Sequence, residues 1–267
     1  MNLLQGLTLA SRYVTHRLNS TSVQVLHSPF VYRLYTECIK KDRHEKAFAP
    51  IEQLRHTLLH DQRVLTYPDP GSGSYVAKNN ASRTVQHIAK YSLKPATQAR
   101  LLHRLVSYIA PTTVLELGSS LGISTCYMAA ALPVQAKLHT VEGAAPVAAL
   151  AQANIHQLGY SQQVQLTEGL FDEVLPALLP TLNSVDLAYI DGNHRYEPTV
   201  DYVKQLLPYL HNNSVVILDD IYWSKEMQQA WQQVKQLPQV TVSIDLFHFG
   251  LLFFRKEQVK EHFTLAL

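Results

Sequence analysis

The stretch Glu116-Leu-Gly-Ser-Ser-Leu-Gly-Ile-Ser-Thr125 follows an apolar run that begins at Thr113 and ends in an acid and a glycine turn. This pattern predicts a β-strand that leads through a tight turn into a helix. Because Gly118 and Gly122 lack a Cβ, the backbone there can approach a ligand closely, and N–H groups of the following helix can meet an anionic group. The stretch therefore predicts a binding turn of the nucleotide type.

Further along the chain, a second apolar strand ends in a carboxylate. Its sequence is Leu138-His-Thr-Val-Glu142, and an acid at this position holds ribose hydroxyls in doubly wound sheets. A dinucleotide fingerprint has the spacing G-x-G-x-x-G, whereas residue 120 is serine here and the glycines are spaced G-x-x-x-G. The spacing argues against a dinucleotide and leaves a packing pair of glycines as the alternative.

Strands and helices alternate after the turn, as a parallel sheet covered on both faces requires. Two later apolar runs, Gln239 to Ile244 and Leu251 to Arg255, are too close for a helical crossover and are predicted to pair antiparallel. The other predicted strands are Thr113–Leu117, Lys137–Val141, Val164–Thr167, Val185–Ile190 and Ser214–Leu218. Helices are predicted between them, the last from Lys225 to Gln236. The expected fold class is α/β.

The turn and Glu142 together resemble the first motifs of the class I S-adenosylmethionine-dependent methyltransferases, over a span from about Leu101 to the C-terminus. The resemblance implies a Rossmann-like doubly wound sheet of seven strands with the last strand antiparallel. It also implies S-adenosyl-L-methionine as the cofactor, which has an amino-acid tail, a ribose and an adenine but no phosphate. The residues that it assigns to cofactor binding are Glu116, Gly118, Ser119, Gly122, Ser124, Glu142, Gly169, Leu170 and Asp191.

Residues 1–95 differ from the rest, because they show helical spacing and no clear strand alternation. They are predicted to form a helical appendage or lid, and residues 96–267 the S-adenosylmethionine-binding domain. The apolar positions Leu3, Leu7, Ala10, Val14 and Leu18 favour core packing or a homodimer over a membrane surface, since few basic residues accompany them. The turn-rich loop Tyr67 to Ser74 is interpreted as a linker or lid.

Composition limits the functional class. The 267 residues and 46% hydrophobic content suffice for a buried core, and 23 Lys plus Arg against 21 Asp plus Glu leave no basic surplus for nucleic acid. No apolar run reaches the roughly 18 residues that span a bilayer. Two distant cysteines fit a reducing compartment, so we expect a cytoplasmic protein.

Three aspartates lie at the ends of two predicted strands. Asp191 follows the fourth strand, and Asp219 and Asp220 follow the fifth. Because neighbouring strands lie about 4.8 Å apart, carboxylates at both ends can reach one cation, and without a cation they would repel one another. We predict a divalent metal such as Mg²⁺. The alternatives are caps for the helix that follows Ser224 and a plain turn at Asp191.

This constellation resembles the divalent-metal-dependent O-methyltransferases of the catechol, caffeoyl-CoA and sugar types. The resemblance assigns the metal to Asp191, Asp219 and Asp220 and implies a small hydroxylated acceptor. Catechol-type enzymes have Asn where this chain has Asp220, which leaves the acceptor open. His194 stands at the place of their Lys base, so His194 and Asp191 are the predicted catalytic residues, with an ordinary loop histidine as the alternative.

Two other functions stay open from the sequence. In a metal-independent methyltransferase the three acids would be structural. A non-catalytic cofactor-binding module would instead dock a partner through the N-terminal helices. Turnover, and its dependence on a metal, would distinguish these functions from the first.

Overall fold

The computed structural model describes residues 3–41, 45–67 and 82–267. The chain divides into two compact units: a terminal unit, Met1–Leu34 with Leu178–Leu267, and a central unit, Tyr35–Ala177. The predicted linker or lid at Tyr67 to Ser74 lies outside the described residues from Pro68 onward. Every helix among the described residues is too short or too polar to cross a membrane.

The described residues form these α-helices: α1 (Leu3–Asn19), α2 (Pro29–Arg33), α3 (Phe48–Leu58), α4 (Val85–Ser92), α5 (Ala96–Ile109), α6 (Ile123–Ala129), α7 (Ala145–Gln157), α8 (Phe171–Leu178), α9 (Tyr196–Leu206) and α10 (Lys225–Lys235). The strands are β1 (Val64–Thr66), β2 (Ser82–Thr84), β3 (Thr113–Leu117), β4 (Lys137–Glu142), β5 (Val164–Glu168), β6 (Leu187–Ile190), β7 (Val215–Asp219), β8 (Val242–Asp245), β9 (Phe249–Phe253) and β10 (Glu261–Thr264). Strands β3 to β10 form one sheet in the order β10-β8-β9-β7-β6-β3-β4-β5.

In the central unit, β4 pairs in parallel with both β3 and β5. Val114, Leu115 and Leu117 of β3 are fully buried, as expected for a strand with both faces covered. The register places Glu116 beside Thr140 and Glu142 beside Glu168. The carboxyl ends of the three strands therefore bring the predicted cofactor residues to one edge.

In the terminal unit, β6 and β7 are parallel, and β9 runs antiparallel to both β7 and β8. The predicted antiparallel hairpin is therefore confirmed. The sheet has eight strands among the described residues rather than the expected seven, because β10 pairs in parallel with β8. Its four residues have one buried apolar side chain, Phe263, which is too weak a pattern to predict a strand.

The N-terminal 95 residues are not wholly helical. Strands β1 and β2 pair antiparallel there, with Val64 beside Thr84, and both are too short and too exposed to show alternation in the sequence. The apolar side of α1 does not pack in a core, which was one of its two predicted roles: Leu7, Val14 and Leu18 are 62%, 56% and 81% exposed. From residue 6 to the end of α1, the buried side chain is instead the polar His16. The homodimer stays a prediction.

Candidate functional site

The turn after β3 contains three residues in the left-handed region. The φ angles are 101° for Gly118, 46° for Ser120 and 83° for Gly122. The Gly118 amide donates to the Val141 carbonyl at 2.9 Å, and the Gly122 amide donates to the Ser119 carbonyl at 2.8 Å. The G-x-x-x-G spacing thus places glycine at two positions where a side chain would be strained.

Glu116 lies beneath this turn and is fully buried. Its carboxyl group accepts hydrogen bonds from the hydroxyls of Ser124 at 2.7 Å, Thr125 at 2.5 Å and Thr140 at 2.7 Å. These bonds join β3 to α6 and β4. The structure thus gives Glu116 and Ser124 a supporting position under the turn, and their direct contact with the cofactor stays a prediction.

Glu142 ends β4 and is partly exposed. Its two carboxylate oxygens accept hydrogen bonds from the amides of Ser120 at 2.9 Å and Ala144 at 3.0 Å. The carboxylate therefore fixes the tip of the glycine turn to the end of the next strand. This is the place predicted for the acid that holds ribose hydroxyls.

The end of β5 is connected to the same edge. The Gly169 amide donates to the Glu142 carbonyl at 3.0 Å. Its φ is 149°, and a Cβ there would come within 2.7 Å of Val174 Cγ2. Leu170, the next residue, is 41% exposed and is available to a ligand.

Ser119 is 1% exposed, and its buried Oγ makes no hydrogen bond to any described residue. A buried hydroxyl without a partner is costly, and a polar group of a bound ligand would satisfy it. The central unit therefore fits the predicted cofactor, with a carboxylate for hydroxyls, a turn open to close approach and this serine hydroxyl.

Asp191, His194 and Asp219 come together in the terminal unit. Each offers one ligand atom, and these atoms all lie within 4.8 Å of one another. His194 Nε2 lies 3.6 Å from Asp191 Oδ1, and Asp191 Oδ2 accepts a hydrogen bond from the Tyr189 hydroxyl at 3.0 Å. Asp219 is the last residue of β7 and is fully buried. Two carboxylates and an imidazole are a donor set that fits a divalent cation.

Asp220 is not one of the three residues in this cluster, although it follows Asp219 directly. Its φ is 51°, and its carbonyl accepts the Trp223 amide at 2.8 Å. Successive side chains at a strand end point in different directions, so adjacent acids need not reach one point. The metal assignment of Asp220 stays a prediction. The sequence predicted His194 as a base. In the structure its ring lies beside two of the predicted metal ligands, Asp191 and Asp219.

Positive φ angles follow three strands of the terminal unit. They are 52° at Asn193, 51° at Asp220 and 72° at Phe247, after β6, β7 and β8 respectively. Asn193 is held by the Tyr202 hydroxyl, which accepts from its Nδ2 at 2.9 Å, and by Arg195, whose Nε donates to its Oδ1 at 2.9 Å. Strained residues of this kind persist where surrounding contacts fix them, often at functional sites.

Sequence comparison identifies a known domain within the chain. Residues 115–221 match a family model described as a methyltransferase domain. A catechol O-methyltransferase of Niastella koreensis is 31% identical over 125 residues, which cover 46% of this chain and 56% of that protein. A transmembrane O-methyltransferase homolog of Mus musculus is 34% identical, over 50% of this chain and 52% of that protein. The chain thus spans about half the length of these curated relatives.

Solved structures resemble this chain over more of its length than the curated relatives do. An O-methyltransferase from Bacillus cereus, solved in complex with SAH, superposes with a TM-score of 0.58 and 15% identity over 85% of this chain and 97% of that one. At this identity the match shows a common fold, which confirms the predicted Rossmann-like α/β sheet. Residues 115–221 therefore resemble a methyltransferase domain, and the curated relatives that match the chain are O-methyltransferases.

Proposed function

We propose that the chain is an S-adenosylmethionine-dependent methyltransferase that methylates a hydroxyl group of a small molecule with the help of a divalent cation, Mg²⁺ or a similar ion. The observation that carries this proposal is the cluster of Asp191, His194 and Asp219, whose ligand atoms lie within 4.8 Å of one another. The names of the curated relatives, O-methyltransferases in both cases, support the reaction class.

The cofactor would lie against the central unit. Glu142 would accept the ribose hydroxyls, and the Gly118 to Gly122 turn with Ser119 would meet the amino-acid tail. Gly169 and Leu170 would border the adenine, while Glu116 and Ser124 support the turn from below. Asp191 is predicted to bind both the cofactor and the metal.

The acceptor would react at the terminal unit. Asp191, Asp219 and Asp220 would hold a divalent cation, which would lower the pKa of an acceptor hydroxyl and orient it. Methyl transfer would form a bond from the acceptor oxygen to the methyl carbon and break the carbon–sulfur bond of the sulfonium, with S-adenosylhomocysteine as the leaving group. We assign the acceptor proton to His194. Because Mg²⁺ prefers oxygen ligands, the imidazole is left for this transfer, and its Nε2 lies 3.6 Å from Asp191 Oδ1.

The rest of the prediction follows from this activity. Residues 1–95 would order the entrance to the active site, residues 96–267 would bind the cofactor, and the protein would act in the cytoplasm, as a homodimer if the exposed side of α1 pairs with its copy. The acceptor class is a small hydroxylated molecule, and a catechol is the first probe because one relative carries that name.

The test measures methyl transfer from S-adenosylmethionine to a catechol by mass spectrometry, before and after treatment with chelator. Chelator should stop transfer, and added Mg²⁺ or Mn²⁺ should restore it. His194→Ala should still bind the cation and S-adenosylhomocysteine but react roughly a hundredfold more slowly, the usual loss for a general base. Asp201→Asn, an exposed change on α9, serves as the control.

Two results would contradict the proposal. Transfer that continues unchanged in chelator would establish the metal-independent methyltransferase. Binding of S-adenosylhomocysteine without transfer to any hydroxylated probe, at any metal concentration, would establish the non-catalytic module. If His194→Ala lost the cation rather than rate, the histidine would be a ligand and the base assignment would be wrong.

A further inference from the structure

Helix α1 contacts the rest of its own unit through buried polar side chains. His16 Nε2 lies 2.9 Å from Asp245 Oδ1, and the Tyr222 hydroxyl donates to Asp245 Oδ2 at 2.8 Å. Arg12 Nη1, one turn before His16, donates to the Tyr222 carbonyl at 2.7 Å. We call His16, Asp245 and Tyr222 the α1 network. It connects the N-terminal helix to a loop far away in the sequence.

Helix α1 is attached by this polar pair as well as by ring contacts of Tyr13 and His16 with Phe247. His16 and Asp245 are 3% and 6% exposed, and burying such a pair costs desolvation that apolar packing would avoid. The apolar residues Leu7, Val14 and Leu18 of the same helix are exposed instead. Apolar packing would attach the helix in many neighbouring positions, whereas a buried pair with directional hydrogen bonds fixes one. The attachment therefore specifies position.

Through Tyr222, the α1 network fixes the position of the loop after β7. Tyr222 stands three residues after Asp219, in a turn closed by the Trp223 amide and the Asp220 carbonyl at 2.8 Å. Asp220 has a φ of 51°, a strained conformation that persists only where neighbouring contacts hold it. Removing the anchor at Tyr222 would let this turn relax, and the relaxation would start beside Asp219.

The loop after β8 is held by the same residues. Asp245 Oδ1 also accepts the Phe247 amide at 2.9 Å, and the Phe247 ring stacks on Tyr222 with centroids 4.9 Å apart and an angle of 13°. Phe247 itself has a φ of 72°. Burial and the Asp245 carboxylate both raise the pKa of Tyr222, so its hydroxyl keeps the proton that it donates.

We propose that the α1 network positions the loop Asp219–Trp223 for cation binding, so that His16 and Tyr222 are positioning residues for a site that they do not line. The effect on the cation rests on the proposed function. The effect on the loop does not, because the contacts that define it are made without a cation.

The experiment compares Tyr222→Phe, His16→Ala and His16→Gln with the unchanged full-length protein. Tyr222→Phe removes only the hydroxyl and keeps the ring stacked on Phe247. In His16→Gln, the amide nitrogen can reach the place of Nε2 and restore the bond to Asp245. Tyr209→Phe, the same change at a tyrosine of the same unit outside the α1 network, is the control. Three quantities are measured: amide hydrogen exchange of residues 219–224, Mn²⁺ affinity, and affinity for S-adenosylhomocysteine.

We expect exchange of the Trp223 amide to accelerate roughly tenfold in Tyr222→Phe and His16→Ala, since local opening controls exchange. Mn²⁺ affinity should fall roughly tenfold, the loss typical of residues that orient ligands from behind. S-adenosylhomocysteine affinity should not change, and His16→Gln should recover most of both losses. If His16 and Tyr222 only stabilised the fold, the variants would have a lower unfolding temperature, and amide exchange and Mn²⁺ affinity would not change selectively.

The outcomes separate the two proposals. If exchange in the 219–224 segment is the same in all four variants, the α1 network does not position the loop and the inference is wrong, whatever the metal does. If exchange accelerates but Mn²⁺ affinity is unchanged, positioning for the cation is wrong. If the unchanged protein binds no divalent cation, the proposed function fails, and the exchange data alone decide whether the network holds the loop.

Discussion

Two groups of acidic residues at strand ends use their charge differently. Glu116, in the central unit, accepts hydrogen bonds from three hydroxyls within the same unit and is fully buried. Asp191 and Asp219, in the terminal unit, bring two carboxylates and the His194 ring to within 4.8 Å. The carboxylate of Glu116 is stabilised by hydrogen bonds from its neighbours. The carboxylates of Asp191 and Asp219 instead lie close enough to repel each other. A buried acid therefore signals structure when hydroxyls surround it, and function when other acids do.

The largest effect that tests this comparison is on stability. Glu116→Ala would leave the hydroxyls of Ser124, Thr125 and Thr140 buried without their acceptor, so we expect a loss of about 4 kcal/mol in the free energy of unfolding. Urea denaturation measures it. Glu168→Ala, an exposed acid on β5, is the matched control and should change stability by less than about 0.5 kcal/mol. Equal losses for the two variants would mean that Glu116 is not the structural acid.

A smaller effect is expected on cofactor affinity. Glu142→Ala removes the predicted acceptor for ribose hydroxyls and the bond that fixes the Ser120 amide. Binding of S-adenosylhomocysteine should weaken by about 2 kcal/mol, roughly thirtyfold in Kd. Calorimetry measures this, with Glu37→Ala, an exposed acid of the same unit outside these strands, as the control. Tight binding of NAD by the unchanged protein, without a response to S-adenosylhomocysteine, would refute the assignment of this edge.

The smallest expected effect distinguishes a structural role of Glu116 from direct contact with the cofactor. Thr140→Val removes one of the three hydroxyls on Glu116 and keeps the shape of the buried side chain. The free energy of unfolding should fall by about 1 kcal/mol, the usual value for one hydrogen bond, while S-adenosylhomocysteine affinity stays the same. If the affinity fell instead with no loss of stability, Glu116 would act on the cofactor directly.

The sequence predicted the regular sheet well because the signals were local. Strand β3 has the predicted bounds Thr113–Leu117, and α10 differs from its prediction by one residue at its end. Each segment has a clear apolar period, and glycine marks the turn that needs a positive φ. Strand β10 was missed because three of its four side chains are not buried, so the strand depends on pairing with β8 rather than on its own pattern.

The parts that the sequence could not predict depend on distant residues. Thr140 reaches Glu116 because the β3–β4 register sets them side by side, and no local pattern specifies that register to the residue. His16 meets Asp245 across most of the chain length. Periodicity predicted a core or a homodimer for the apolar side of α1, and it gave no sign of this buried pair. The sequence predicted the group of three aspartates because the ends of neighbouring strands share one edge of the sheet. It could not predict that Asp191 and Asp219 come together with His194.

The most direct test of the central claim is a calorimetric titration with Mg²⁺ and Mn²⁺ of the unchanged protein, Asp219→Asn and Asp201→Asn. Asp219 is the buried acid of the cluster, whereas Asp201 is exposed on α9. We expect one divalent ion per chain in the unchanged protein and in Asp201→Asn, and an affinity at least roughly a hundredfold weaker in Asp219→Asn, since a ligand lost from the metal costs more than an orienting residue. Equal affinity in all three proteins would contradict the account.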